Sequence, residues 1–252
     1  MGFTACSSAP HDADRYATVG LDVSHYQGLI DWGDVSHGNH DFVFMKATEG
    51  RSLRDKAFLY NWQKAGEQGL RRGAYHFFRP SVPAAEQARL YFNTVDLRPG
   101  DLPPVLDVEK IGRLTGNQLV SAIREWSEMA ELRYGVKPII YTGQNFYNNY
   151  LAGRIDDHHL WLARYDNEQP VTVCGRSYQF WQYSDRGRSR GIQGRVDKNV
   201  FTGTTAEWAA LPIPLPGASP DYPEVLEERT ISQLPRAKKG MDDLVSFGVI
   251  RR

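Results

Sequence analysis

Two carboxylates one residue apart, Asp107 and Glu109, end the run Leu102-Pro103-Pro104-Val105-Leu106-Asp107-Val108-Glu109. In a strand, side chains alternate between faces, so both acids share a face and Val108 takes the other. Their Cα atoms then lie about 6.5–7 Å apart. Carboxyls this close do not ionise independently, because the first anion disfavours the second. A proton-bearing acid beside an anion is the pair that glycoside hydrolysis requires. An isolated D-x-E is more often two solvated acids at a strand end, so the decision falls to the elements that would position it.

Those elements alternate. Strands are predicted over 18–24, 42–48, 73–78, 102–109, 137–142, 159–165, 178–183 and 194–197. Helical apolar spacing is predicted over 55–68, 83–95 and 115–134, with a shorter helix near 145–151. Gly69 suits a helix C-terminus, and Pro83 a first helical turn. Strands alternating with helices imply a parallel sheet. Eight of them in this length imply an irregular, TIM-like β/α barrel, one whose last connections are too short for full helices. Barrel chemistry sits at the C-terminal ends of the strands. Asp22, Asp107, Glu109 and Asp197 all fall at such ends or just before them.

The flanks differ from this core. Residues 1–17 read as a flexible leader, 18–210 as the barrel, 211–220 as a proline-rich linker, and 221–252 as a charge-balanced extension without an assigned role. Thirty basic and thirty acidic residues cancel, which removes a bulk electrostatic case for nucleic acid or an anionic membrane. No apolar run is long enough to span a bilayer. The two cysteines, Cys6 and Cys174, form neither a zinc motif nor a disulfide framework, and Cys174 reads as an inert thiol. His37, His40, His158 and His159 have no partners at ligand spacing and read as structural or solvated; no metal or cofactor is expected. Phe3-Thr4-Ala5-Cys6 resembles the end of a bacterial lipoprotein signal, in which the cysteine carries the lipid anchor. The charged and apolar regions that should precede it are absent, so a trimmed lipoprotein start and a chance match both stay open.

The ordered motifs carry a resemblance. Asp22-Val23-Ser24-His25-Tyr26-Gln27-Gly28 with Ile30-Asp31-Trp32 resembles the opening of glycoside hydrolase family 25, the Ch-type lysozymes. Lys46-Ala47-Thr48-Glu49-Gly50, Gly73-Ala74-Tyr75-His76-Phe77, Asp107-Val108-Glu109, Ile140-Tyr141-Thr142, Leu160-Trp161-Leu162-Ala163, Trp181-Gln182-Tyr183 and Val196-Asp197-Lys198-Asn199-Val200-Phe201 follow in that family's order. The resemblance covers about 19–201. It implies an N-acetylmuramidase acting on peptidoglycan between N-acetylmuramic acid and N-acetylglucosamine. By the same resemblance Glu109 is the general acid and Asp107 its partner carboxylate, with Asp22 and Asp197 completing an acidic floor. Neighbouring anions would keep the proton on Glu109. Asp107 could activate water in an inverting reaction or orient the substrate's own acetamide; the acetamide route is favoured, because the sugar at the cleavage point is N-acetylated.

Tyr75, Phe77, Tyr141, Trp161 and Tyr183 lie in or at the ends of predicted strands and could line a saccharide groove. Gln182, polar in an aromatic strand, is a candidate substrate hydrogen-bonder. Lys46 is expected to pair with an acid inside the barrel, and Glu49 to be a loop acid without chemistry. Two other classes compete: a non-catalytic peptidoglycan-binding module, disfavoured by retention of all four acids, and a chitinase-like glycosidase, whose D-x-x-D-x-D-x-E run is absent. A peptidoglycan substrate implies an exported protein, in the periplasm or envelope or outside the cell, and a monomer is expected.

Overall fold

Runs that are apolar at nearly every position in the sequence become strands buried on both faces in the computed structural model, which describes residues 11–213. The strands are β1 (Val19–Val23), β2 (Phe42–Glu49), β3 (Leu53–Arg54), β4 (Arg71–Phe77), β5 (Val105–Asp107), β6 (Ile139–Gly143), β7 (His159–Ala163), β8 (Phe180–Gly187) and β9 (Val196–Phe201). Neighbours run parallel from β1 through β2, β4, β5, β6 and β7 to β8. β9 then pairs antiparallel with both β8 and β1 and closes the ring. The expected eight-strand TIM-like barrel is therefore present, with β3 as a small hairpin outside the ring.

The reversal of β9 differs from the expectation for Asp197. A parallel return needs a crossover of a dozen or more residues, and 188–195 is too short for one. The chain turns straight back instead. Asp197 thus reaches the barrel mouth near the start of a reversed strand, not at the C-terminal end of a parallel one.

Helices α1 (Trp32–Ser36), α2 (Phe58–Glu67), α3 (Ala84–Phe92) and α4 (Gly116–Tyr134) cover the outside. Local sequence explains the ends of α4: Thr115 and Gln118 form a reciprocal capping box, and Gly135 takes the left-handed conformation after the last turn. Alternate strand residues such as Leu21, Met45, Leu106 and Ile140 pack outward on this helical layer. The other set faces inward, where Phe42, Phe44, Val105, Ile139, Trp161, Phe180 and Phe201 fill the lower barrel. Trp208, on the final helix Thr205–Ala210, lies against the rings of Phe42, Phe180 and Phe201 and plugs the bottom.

Both flanks depart from their expected character where they are described. In the leader, Asp12–Arg15 forms a short helical turn whose backbone bonds to Asn167, and Ala13 is buried beside Trp181 and Val200. In the linker, Leu211 and Ile213 are buried, and Ile213 exchanges backbone hydrogen bonds with Gly100 and Asp101 below β5. Cys6, the rest of the linker and 221–252 lie outside the described residues.

The packed interior leaves no room at Gly20. A Cβ there would stand 2.5 Å from the ring of Phe42, itself fully buried. Gly20→Ala is expected to cost about 1–3 kcal/mol in urea unfolding, the usual range for overpacking a filled core. A loss below about 0.5 kcal/mol would contradict this account of the packing.

Candidate active site

The same alternation that stacks aromatics low in the barrel stacks polar groups above them. Continuing inward along each strand gives Asp22 after Gly20, Lys46 after Phe44, Asp107 after Val105, Tyr141 after Ile139, Gln182 after Phe180, and Asn199 before Phe201. All of these but Asn199, which lies beneath Asp22, line a cleft of about 250 Å³ at the barrel mouth. Asp22, Asp107, Glu109 and Asp197 all line it, as do Tyr75, Phe77, Tyr141, Trp161 and Gln182.

Asp107 and Glu109 share a face as their spacing requires, for Val108 between them is buried in the outer core. β5 itself stops at Asp107, and Val108 continues the direction by donating its N–H to Tyr141 O at 2.9 Å. Their surroundings differ sharply. Asp107 is 4% exposed, whereas Glu109 stands exposed on the rim. Burial, then the neighbouring Glu109 charge and a hydrogen bond between the two carboxyls, raise the Asp107 pKa well above the usual carboxylate range. The raised pKa falls on Asp107, the buried member of the pair. One Asp107 oxygen, Oδ1, is buried without a hydrogen-bond partner.

A second acid pair faces the first. Asp22 and Asp197 are cross-strand partners in the β1–β9 ladder. Burial raises the pKa of Asp22, against the lowering effect of hydrogen bonds from Asn199, Gln182 and Asp197. Burial and then the Asp22 charge push Asp197 up to about 8. The hydrogen bond between the two acids lowers Asp22 and raises Asp197.

Three expectations for individual residues change. Tyr183 points away from the cleft and packs against His11 and Trp181, because strand alternation that turns Gln182 inward must turn Tyr183 outward. Gln182, expected to bond the substrate, is 2% exposed and committed to protein partners: Nε2 donates to Asp22 Oδ2 at 2.7 Å, while Oε1 accepts from Tyr141 and Tyr165 hydroxyls at 2.7 Å each. Trp161 reaches the cleft but acts mainly as its floor, stacked 4.4 Å from Phe44 and giving its indole N–H to Asn199. Lys46 pairs with Glu49 at 2.5 Å, and Glu49 also holds Arg79, so that acid anchors the rim beside Phe77. His158 is bonded to Ser127 and His40 to Ser189.

The sequence reading missed Asn199, Tyr165 and Tyr26. Asn199 was recoverable, since it sits two residues from Asp197 and must share its face. Tyr165 lies beyond the end of β7, where no periodicity applies. Tyr26, 81% exposed at the rim, belongs to a turn built by the Ser24–Gln27 capping box and by His25, whose N–H and Nδ1 both meet Asp55.

Comparison with known proteins fits this geometry. The family model described as "Glycosyl hydrolases family 25" matches residues 21–192. The chain belongs to glycosyl hydrolase family 25. That match includes Asp22, Asp107, Glu109 and Gln182 but ends before Asp197 and Asn199, which the closing strand brings to the cleft. YegX of Escherichia coli O6:H1 is 47% identical over 197 residues, 76% of this chain and 72% of that protein. Lysozyme M1 of Streptomyces globisporus is 34% identical over 215 residues, covering 79% and 72%. The solved structure of a family 25 glycosyl hydrolase from Bacillus anthracis superposes with a TM-score of 0.76 at 32% identity, covering 82% of this chain and 99% of that one. As a family 25 member, the protein is a glycoside hydrolase.

The raised pKa of Asp197 makes stability depend on pH. A folded pKa near 8 against an ordinary value of 3.8 means folding takes up a proton between those limits. Its contribution is fully present below pH 3.8 and lost as pH rises toward about 8. Asp197→Asn keeps a donor for Asp22 without the titration. The melting temperature of this variant is expected to gain on the wild type steadily from pH 5 to pH 8; a constant offset would remove Asp197 as the cause.

Proposed function

We propose that the cleft hydrolyses the β-1,4 bond between N-acetylmuramic acid and N-acetylglucosamine in peptidoglycan. The observation that carries this reading is the division of one acid pair into a buried Asp107 with an unpartnered oxygen and an exposed Glu109 on the rim. A general acid must reach the leaving glycosidic oxygen, and the rim position gives Glu109 that access. Asp107, deep in the cleft, has an open acceptor site suited to the N–H of an acetamide. The names of two relatives, Lysozyme M1 and the N,O-diacetylmuramidase of Arthroderma benhamiae, agree with the substrate class.

Burial favours the protonated form of Asp107. An acetamide N–H arriving at Asp107 needs an anion there, so the proton crosses the hydrogen bond to Glu109 as the sugar seats. Glu109 then delivers it to the leaving oxygen while the acetamide carbonyl oxygen bonds to C1. The resulting oxazolinium keeps its N–H against the Asp107 anion. Water, losing a proton to Glu109, reopens the ring and restores the acetamide. Aromatic walls from Tyr75, Phe77 and Tyr26 suit the apolar faces of the sugars. The substrate lies outside the cytoplasmic membrane, so the protein works in the envelope or beyond it; no helix among the described residues is long and apolar enough to cross a membrane.

Reducing-sugar release from purified peptidoglycan tests the assignment. Glu109→Gln and Asp107→Asn are each expected to lower the rate about 10²–10⁴-fold. Equal rates for Glu109→Gln and wild type would remove Glu109 as the acid, and binding without turnover by the wild type would favour a non-catalytic module. NMR of the fresh product distinguishes the two roles of Asp107: the acetamide route gives the β-anomer first, direct attack by water the α-anomer.

A further inference from the structure

The hydrogen bonds around Asp22 form a chain whose direction is forced from one end. Trp161 Nε1–H can only donate, and it donates to Asn199 Oδ1 at 2.8 Å. That fixes the Asn199 amide, so Nδ2 faces Asp22 Oδ2 at 2.8 Å as a donor. The ionised Asp22 oxygen can only accept, so its other amide neighbour must also offer N–H. Gln182 does so through Nε2 at 2.7 Å. Its carbonyl Oε1 is then turned to the opposite side, where the hydroxyls of Tyr141 and Tyr165 each stand 2.7 Å away. Both must donate. A tyrosine hydroxyl has a single hydrogen, so once it is committed only lone pairs are left for the cleft.

We propose that Gln182 is a positioning residue that sets the hydrogen-bond polarity of the cleft wall. By taking the hydrogens of Tyr141 and Tyr165 it makes that wall accept, and so selects a sugar that presents hydroxyl or amide N–H donors there. The proposal rests on the glycoside hydrolase reading of this cleft and extends it to what the wall recognises.

Several observations support it. Gln182 and Asn199 are 2% and 0% exposed, so water does not compete for their orientation. Burial pushes the Tyr141 hydroxyl well above its usual pKa and Tyr165 to about 12, so both hydrogens are present to be given. Tyr75 makes the contrast: it lines the same cleft near Asp22, Asp107 and Asp197, and among the described residues no acceptor takes its hydroxyl hydrogen. The cleft thus separates two accepting tyrosines from one that can still donate. A residue that merely filled space at 182 would have no reason to place its oxygen between two hydroxyls and its nitrogen on a carboxylate.

Neutron diffraction from crystals of the full chain reads the polarity without reference to activity. Deuterons on Tyr141 Oη and Tyr165 Oη are expected to point at Gln182 Oε1; deuterons pointing into the cleft would overturn the proposal. Gln182→Glu keeps the shape but puts a carboxylate oxygen against Asp22 unless it binds a proton. Its kcat/KM is expected to fall about tenfold per pH unit above the pKa of the introduced acid, relative to wild type. A wild-type pH profile would overturn the proposal. Gln182→Met frees both tyrosine hydrogens, and a kcat/KM loss of about 10- to 100-fold is expected, from the cost of leaving buried partners unpaired. Tyr141→Phe should cost less in that background than in wild type, whereas strictly additive losses would count against the link. If Gln182→Met does not fold, the glutamate variant and the deuteron positions decide. If the wild type turns over no peptidoglycan, the functional reading fails while the neutron result still settles the polarity.

Discussion

Closure of the barrel by one reversed strand is the constraint from which the active site follows. β9 satisfies the exposed edges of β1 and β8 together, and without it both would present unpaired backbone groups. The same strand carries Asp197 and Asn199 to the mouth. Pairing Asp22 directly opposite Asp197 puts two carboxyls across a single ladder rung, where only one can ionise cheaply. The backbone hydrogen bonds that complete the fold therefore also create the electrostatic pressure at its mouth.

The interior of the barrel is graded along its axis. Aromatic rings occupy the lower layers, with Trp161 stacked on Phe44 at 4.4 Å and meeting Tyr141 edge-on at 4.5 Å, contacts that add about 0.5–1.5 kcal/mol each. Above them lies a layer of acids and amides. Burying acids is unfavourable unless donors or protons compensate. Here compensation is by amides for Asp22 and by sharing protons within the two acid pairs. Trp161 joins the layers, its ring belonging to the aromatic stack and its N–H to the polar network.

Period-two alternation made most of this legible in the sequence. Placing Asp107 and Glu109 on one face needed only the pleat, and the strand series located the mouth. Three things were not legible. The direction of β9 depends on how a short connection resolves in three dimensions. The fate of Gln182 depends on partners contributed by strands far apart in sequence, Asp22 and Tyr141 among them. The contrast between Asp107 and Glu109 is one of depth, and spacing along a strand reports the face of a side chain but not how far it lies from water. Tyr183 is the instructive case, because the rule that placed the acids correctly also turns it outward once Gln182 is known to face in.

The plug formed by Trp208 has a bearing on how the protein meets a polymer. Beyond it the chain is held at Ile213 by Gly100 and Asp101, at the end of the barrel opposite the cleft. The last described residues therefore lie at the end of the barrel away from the cleft. A carrier or immobilising support held beside Gly100 and Asp101 would sit at the end remote from an insoluble, cross-linked sheet far larger than the enzyme. An attachment beside His11, which packs on the outward rings of Trp181 and Tyr183, would instead approach along the flank of the cleft strands.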